Sequence, residues 1–122
     1  MYKVKVTSHF SSAHNLRGYK GKCEDLHGHN WRVEVSAFSK ELDELGMVVD
    51  FKELKAALGE VLGELDHSFL NDVEYFKRTN PTSENIARFI YQRMEELNPS
   101  LRIREVTVHE TDTSSATYVK DR

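Results

Sequence analysis

From His27 to Val35 every second residue is an imidazole or a bulky apolar group: His27, His29, Trp31, Val33 and Val35. Strict alternation is the period of a strand with one buried face. It therefore aims two imidazoles at the same side as an indole and two valines, and polar rings on an apolar face need a partner. Immediately upstream, Cys23-Glu24-Asp25-Leu26 adds a thiol, and Gly28 between the histidines lets the backbone bend or be approached closely.

Neutral imidazole is the commonest metal ligand. Catalytic zinc usually takes three protein ligands and keeps one position open. His14 is the best candidate for the third ligand. It follows a strand-like run and lies in a polar stretch, Ser11-Ser12-Ala13-His14-Asn15, that can break from the strand and turn inward. A solitary strand histidine is more often a hydrogen-bonded core or surface residue. His-x-His with a third histidine nearby, in a chain of 6 histidines, favours a metal site instead.

A chain of 122 residues fits one domain, here residues 1–122, and can bury roughly two thirds of its unfolded surface without staples. Cys23 has no second cysteine to pair with, which suits a reducing cytosol and makes the expected location cytoplasmic. No apolar run approaches the length of a membrane span and no secretory signal opens the chain, so no membrane partner is expected. The formal net charge is −3 with cations scattered among acids. That distribution carries no electrostatic footprint for nucleic acid.

Tyr2 to Phe10 alternates in the same way as His29 to Phe38, giving two strands. The glycine-containing loop between them, Arg17 to Lys22, carries positive charge suited to an anionic ligand but lacks the ending of a phosphate-binding P-loop. Asp50 caps a first helix, with Glu53 completing a capping box and a core stripe of Phe51, Leu54, Leu58, Val61, Leu62 and Leu65. Gly59 and Gly63 on that helix suggest close approach to a sheet or neighbour. A second helix runs from about Thr82 to Asn98, with Ile86, Phe89, Ile90, Met94 and Leu97 inward. Leu101 to Glu110 and Ala116 to Lys120 are two further strands.

The order β-β-α-α-β-β implies an α+β fold: an antiparallel sheet with both helices on one face. Two helices are not expected to cover Trp31, Val33 and the outer-strand valines together, so self-association through the sheet is expected. Asp66 beside His67 at the end of the first helix can fix the imidazole's tautomer and raise its basicity, as an acid/base pair requires. Glu110 continues the apolar face of Val106 and Val108, so its carboxylate is either exposed at the sheet edge or binding something.

Several motifs together, His14, Cys23-x3-His27-Gly28-His29-Asn30, Gly46-Met47-Val48-Val49-Asp50-Phe51, Leu65-Asp66-His67, Pro81-Thr82-Ser83-Glu84-Asn85 and Glu110-Thr111, resemble the 6-pyruvoyl-tetrahydropterin synthase family over essentially the whole chain. Within it the chain looks most like the bacterial carboxy-forming branch of the queuosine pathway. The pyruvoyl-forming relatives separate the cysteine from His-x-His by a longer segment, whereas here only Glu24, Asp25 and Leu26 intervene. The resemblance implies a tunnelling fold, in which three four-stranded sheets close into a barrel and two trimers stack into a homohexamer. It implies one Zn2+ on His14, His27 and His29, Cys23 as general base, Asp66 and His67 as proton-relay partners, and Glu110 anchoring a pterin ring with Thr82 or Glu84 assisting. The implied substrate is 7,8-dihydroneopterin triphosphate, which loses triphosphate and, in the carboxy branch, acetaldehyde; pyruvoyl formation is the alternative outcome.

Those roles are chemically coherent. A Lewis-acid zinc stabilises a developing enediolate, and a thiolate near a metal has a depressed pKa. Two other classes stand beside this one. A cupin also uses His-x-His followed by a glutamate, for which Glu34 is placed, but cupins are all-β. A noncatalytic zinc module accounts for the histidines but not for Cys23, Asp66, His67 and Glu110.

Overall fold

Two 13-residue strands, β1 (Tyr2–His14) and β2 (His27–Ser39), form the spine of the molecule. They pair antiparallel along their whole length, from Tyr2 opposite Ser39 to His14 opposite His27. The computed structural model describes residues 1–21 and 25–121. Helix α1 (Phe51–Gly63) follows, then a two-residue strand β3 (Ser68–Phe69), two 3-10 turns, helix α2 (Ser83–Leu97), β4 (Ile103–Thr111) and β5 (Ser114–Val119).

The sheet order is β3-β1-β2-β4-β5. The four long strands are antiparallel as expected, and β3 adds a short parallel pairing with β1 at Ser12 and Ala13. α1 packs over β1 and α2 over β4 and β5, so both helices lie against the face that carries the valines.

β1 does not break before His14. Its alternation simply continues through Phe10, Ser12 and His14, all buried. The polar residues are tolerated there because their groups are paired: the Ser12 hydroxyl donates to the Leu65 carbonyl, and Trp31 Nε1 donates to the Ser12 carbonyl at 3.2 Å.

The expectation that this face would stay partly bare is overturned. Trp31, Val33, Val35, Val106 and Val108 are all 0% exposed within one chain. The segment between the helices supplies the missing cover, with Leu70 and Phe76 also fully buried. Phe10 stacks on Trp31 at 5.7 Å, and each such large side chain contributes about 1.5–3 kcal/mol of burial.

The opposite face is polar: Lys5 pairs with Glu34 at 2.7 Å, and His109 contacts Glu34 at 2.5 Å. Lys5 and then His109 hold the Glu34 carboxyl below its ordinary range.

The helices differ from expectation in detail. Asp50 caps α1 by accepting from the Lys52 N–H at 2.8 Å, while the Glu53 N–H bonds the Asp50 backbone carbonyl in place of a reciprocal side-chain bond. Phe51 and Leu97, expected inward, are 52% and 38% exposed because each sits at a helix end beyond the sheet's cover. Gly59 and Gly63 face solvent, and a methyl at either would meet nothing within 4 Å. Gly28 likewise has open space and lies in regular pairing opposite Ala13.

Candidate metal centre

The register of β1 on β2 assembles the site. With His14 opposite His27 and Ser12 opposite His29, the inward side chains at this end of the sheet are three imidazoles resting on Trp31. Trp31 meets His14 edge-on at 4.8 Å and His29 at 5.2 Å, forming an apolar floor. β4 runs beside β2 with His109 opposite Arg32, and the next residue, Glu110, therefore turns inward. Its carboxylate lies 3.4 Å from His29 Nε2 and 3.9 Å from His14 Nε2. One ligand atom from each of His14, His27, His29 and Glu110 lies within 4.8 Å of all the others.

Tautomers make this cluster more than a crowd of rings. His14 Nδ1 lies 2.8 Å from the Pro81 carbonyl oxygen, and His27 Nδ1 lies 2.9 Å from that of Asp25. A carbonyl only accepts, so both Nδ1 atoms carry the proton and donate it. In a neutral His14 ring Nε2 then presents its lone pair, and it lies 3.0 Å from His27 Nε2. Two nitrogens about 2.0–2.1 Å from a tetrahedral zinc would stand roughly 3.3 Å apart, so the donor set fits the ion. His29 Nε2 is a buried atom that makes no hydrogen bond among the described residues and lies 3.4 Å from the Glu110 carboxylate, adding a third nitrogen to the cluster.

The electrostatics agree. Burial, reinforced by His27 and His29, pushes the His14 imidazole below its ordinary pKa against the opposing pull of the Pro81 carbonyl and Glu110. Neutral imidazole is the form that ligates.

A cavity of about 250 Å³ opens on the cluster, lined by His14, His27, Glu110, Leu16 and the Thr82-Ser83-Glu84 start of α2. Thr82 thus lies in the cavity wall, and its hydroxyl is also the cap of α2, accepting from the Asn85 N–H at 3.1 Å.

Asp66 and His67 do form a pair, with His67 Nδ1 3.1 Å from Asp66 Oδ1. They are placed at the outer edge of β1, where Asp66 Oδ1 accepts from the Ser11 N–H at 2.8 Å and the His67 N–H donates to the Ser11 carbonyl. His67 adopts a left-handed φ of 52° and its side chain is 80% exposed. It lines a second cavity of about 560 Å³ together with His29, Asn30, Ser68 and Phe69. Cys23 lies outside the described residues.

Glu34 projects from the polar face, opposite to the histidines, so the His-x-His-plus-glutamate arrangement of a cupin does not form. Its even-numbered position among odd-numbered histidines already carried that signal. Arg17 does not offer its charge to solvent, because its guanidinium donates to the carbonyls of Asn71 and Phe76 at 3.3 and 2.6 Å. The carbonyls of Asp25 and Pro81 are the functional groups that sequence reasoning missed, since backbone atoms leave no residue signature.

An α+β sheet carrying a half-buried cluster of three imidazoles and a carboxylate under a helix start defines a class of protein whose site could hold a metal ion beside a small cavity. The chain belongs to the 6-pyruvoyl tetrahydropterin synthase family, which its sequence matches over residues 3–121. It is 43% identical to the 6-carboxy-5,6,7,8-tetrahydropterin synthase of Synechocystis sp., across 93% of this chain and 89% of that protein. It is 35% identical to the 6-pyruvoyl tetrahydrobiopterin synthase of Poecilia reticulata, across 96% and 88%. Its fold superimposes on Caenorhabditis elegans 6-pyruvoyl tetrahydropterin synthase with a TM-score of 0.86 at 31% identity, covering 98% of this chain and 96% of that one.

Proposed function

We propose that this protein converts 7,8-dihydroneopterin triphosphate to 6-carboxy-5,6,7,8-tetrahydropterin, with release of acetaldehyde and triphosphate, as a zinc-dependent step of queuosine-type 7-deazapurine synthesis. The observation that carries the reading is the convergence of His14, His27, His29 and Glu110, whose ligand atoms lie within 4.8 Å of one another, with His14 Nδ1 tied to the Pro81 carbonyl. A zinc ion held there supplies Lewis acidity toward oxygens on the substrate side chain.

The chain's own groups supply the rest. Glu110 anchors the ring, because a carboxylate accepts two parallel hydrogen bonds from a flat aminopyrimidinone edge. Thr82, in the same cavity wall, is the assisting contact. Cys23 is the general base, two positions in sequence before Asp25, whose carbonyl is tied to His27. The Asp66–His67 pair moves the proton onward, the carboxylate holding Nδ1–H so that Nε2 is the exchanging atom.

The short tether of Glu24, Asp25 and Leu26 between Cys23 and His27 favours the carboxy product over the pyruvoyl one. A displacement of about 1 Å at a reacting atom costs on the order of a hundredfold in rate or redirects the step. Incubation with dihydroneopterin triphosphate, followed by mass spectrometry and an acetaldehyde assay, tests this. Equimolar 6-carboxy-tetrahydropterin and acetaldehyde are expected. A stable 6-pyruvoyl product without acetaldehyde moves the protein to the other branch.

A further inference from the structure

The chain leaves β1 at His14 and passes through Asn15 and Arg17 with no strand beside it, yet the backbone of both residues is fully paired. The Asn71 side chain accepts from the Asn15 N–H at 3.0 Å and donates to the Asn15 carbonyl at 2.9 Å. Asn80 does the same for Arg17, accepting and donating at 2.9 Å each. Two side-chain amides thus reproduce the double hydrogen bond of an antiparallel strand pair.

Asn80 is also held from its other side, because Asn85 in the first turn of α2 donates from Nδ2 to the Asn80 carbonyl at 2.9 Å. The very next carbonyl, that of the buried residue Pro81, is the acceptor for His14 Nδ1.

We propose that Asn80, braced by Asn85, is a positioning residue that sets the Pro81 carbonyl against His14 and so holds His14 in the tautomer whose Nε2 is free for metal. The inference rests on the metal reading above. Asn80 touches neither metal nor substrate; it acts through the Pro81 carbonyl. The hydrogen bond on one ring nitrogen decides which nitrogen binds metal. Losing such an outer partner typically costs 10–100-fold in metal affinity.

The test uses zinc itself, in competition with a chromophoric chelator, on the full chain. Asn80→Ala is expected to bind zinc about 10–100-fold more weakly than the wild type. Asn98→Ala is the control. It removes a cap at the far end of α2, where Asn98 Oδ1 accepts from the Ser100 N–H at 3.2 Å, and it is expected to leave zinc affinity unchanged.

Long-range proton–nitrogen spectra of the metal-free proteins provide the second readout: His14 in the Nδ1–H form in the wild type, and a mixture in Asn80→Ala. A folded Asn80→Ala with wild-type affinity and an unchanged His14 tautomer overturns the proposal. Should that variant fail to fold, Asn85→Ala, which removes one of the two donors to the Asn80 carbonyl, leaves the Thr82 N–H on it at 2.9 Å and keeps the Arg17 pairing, must show a loss of the same sign. An unchanged affinity there overturns the proposal equally. Failure of the wild type to bind zinc would instead strike the metal reading, while the tautomer spectra still judge the role of Asn80.

Discussion

His14 meets three requirements at once: it is 2% exposed, its Nδ1 is spoken for by a carbonyl, and its Nε2 points at the Nε2 of His27. Each alone is ordinary, but together they leave room for one cation. His27→Ala is therefore expected to lose most bound zinc and nearly all turnover, measured by metal analysis beside the product assay. Cys23→Ala is expected to keep zinc and fold and lose turnover, since a base has been removed and a ligand has not. Metal content falling in step with activity in Cys23→Ala would make the thiol a fourth ligand and the site a closed structural one. The three histidines were legible because two share strand parity. The place of His14 was reached for a different reason than expected: β1 runs on to meet His27, with no turn inward.

The helices show where local pattern and tertiary context part. Leu54, Leu58, Val61 and Leu62 are buried on the stripe that a 3.6-residue period predicts. Gly59 sits opposite them in solvent with open space around its Cα, so its permissiveness serves no packing here. Gly59→Ala is expected to stabilise the protein by about 0.5–1 kcal/mol without altering zinc binding, read from denaturant unfolding of the metal-free form. No change or a loss of stability would show that the glycine serves an approach absent from a single chain. α2 carries more of the site than α1. Its Thr82 cap forms part of the cavity wall and its Asn85 braces the loop behind His14.

In the molecule as a whole, the sheet's edges and not its inner face are what remain open to assembly. The inner face is sealed by the chain's own helices and connecting segment, and the outer face is a polar network. β5 is an edge strand, and β3 covers β1 only at Ser12 and Ala13. Exposed strand edges invite pairing between copies, and a polar face suits the lumen of a closed barrel. We expect sedimentation to show a closed oligomer, six copies being the favoured number; a stable monomer at micromolar concentration contradicts this. The exposed Asp66–His67 pair at such an edge is suited to serve a neighbouring copy's site. Mixing inactive Cys23→Ala and His67→Ala chains is then expected to restore part of the activity, whereas a pair acting within its own chain would restore none.

Alternation along β1 and β2, the helical stripes, the Asp50 cap and the adjacency of Asp66 to His67 were all readable from sequence, because each depends on backbone geometry repeated over a few residues. The α+β class and the histidine set followed from those. Tertiary structure alone decided that Glu110 joins the cluster, that Asp66 and His67 stand at an edge, and that Leu70 and Phe76 complete the core's cover. It also decided the tautomers, through the carbonyls of Asp25 and Pro81. Those facts depend on strand register and on backbone oxygens brought from distant segments, and any residue type presents the same carbonyl.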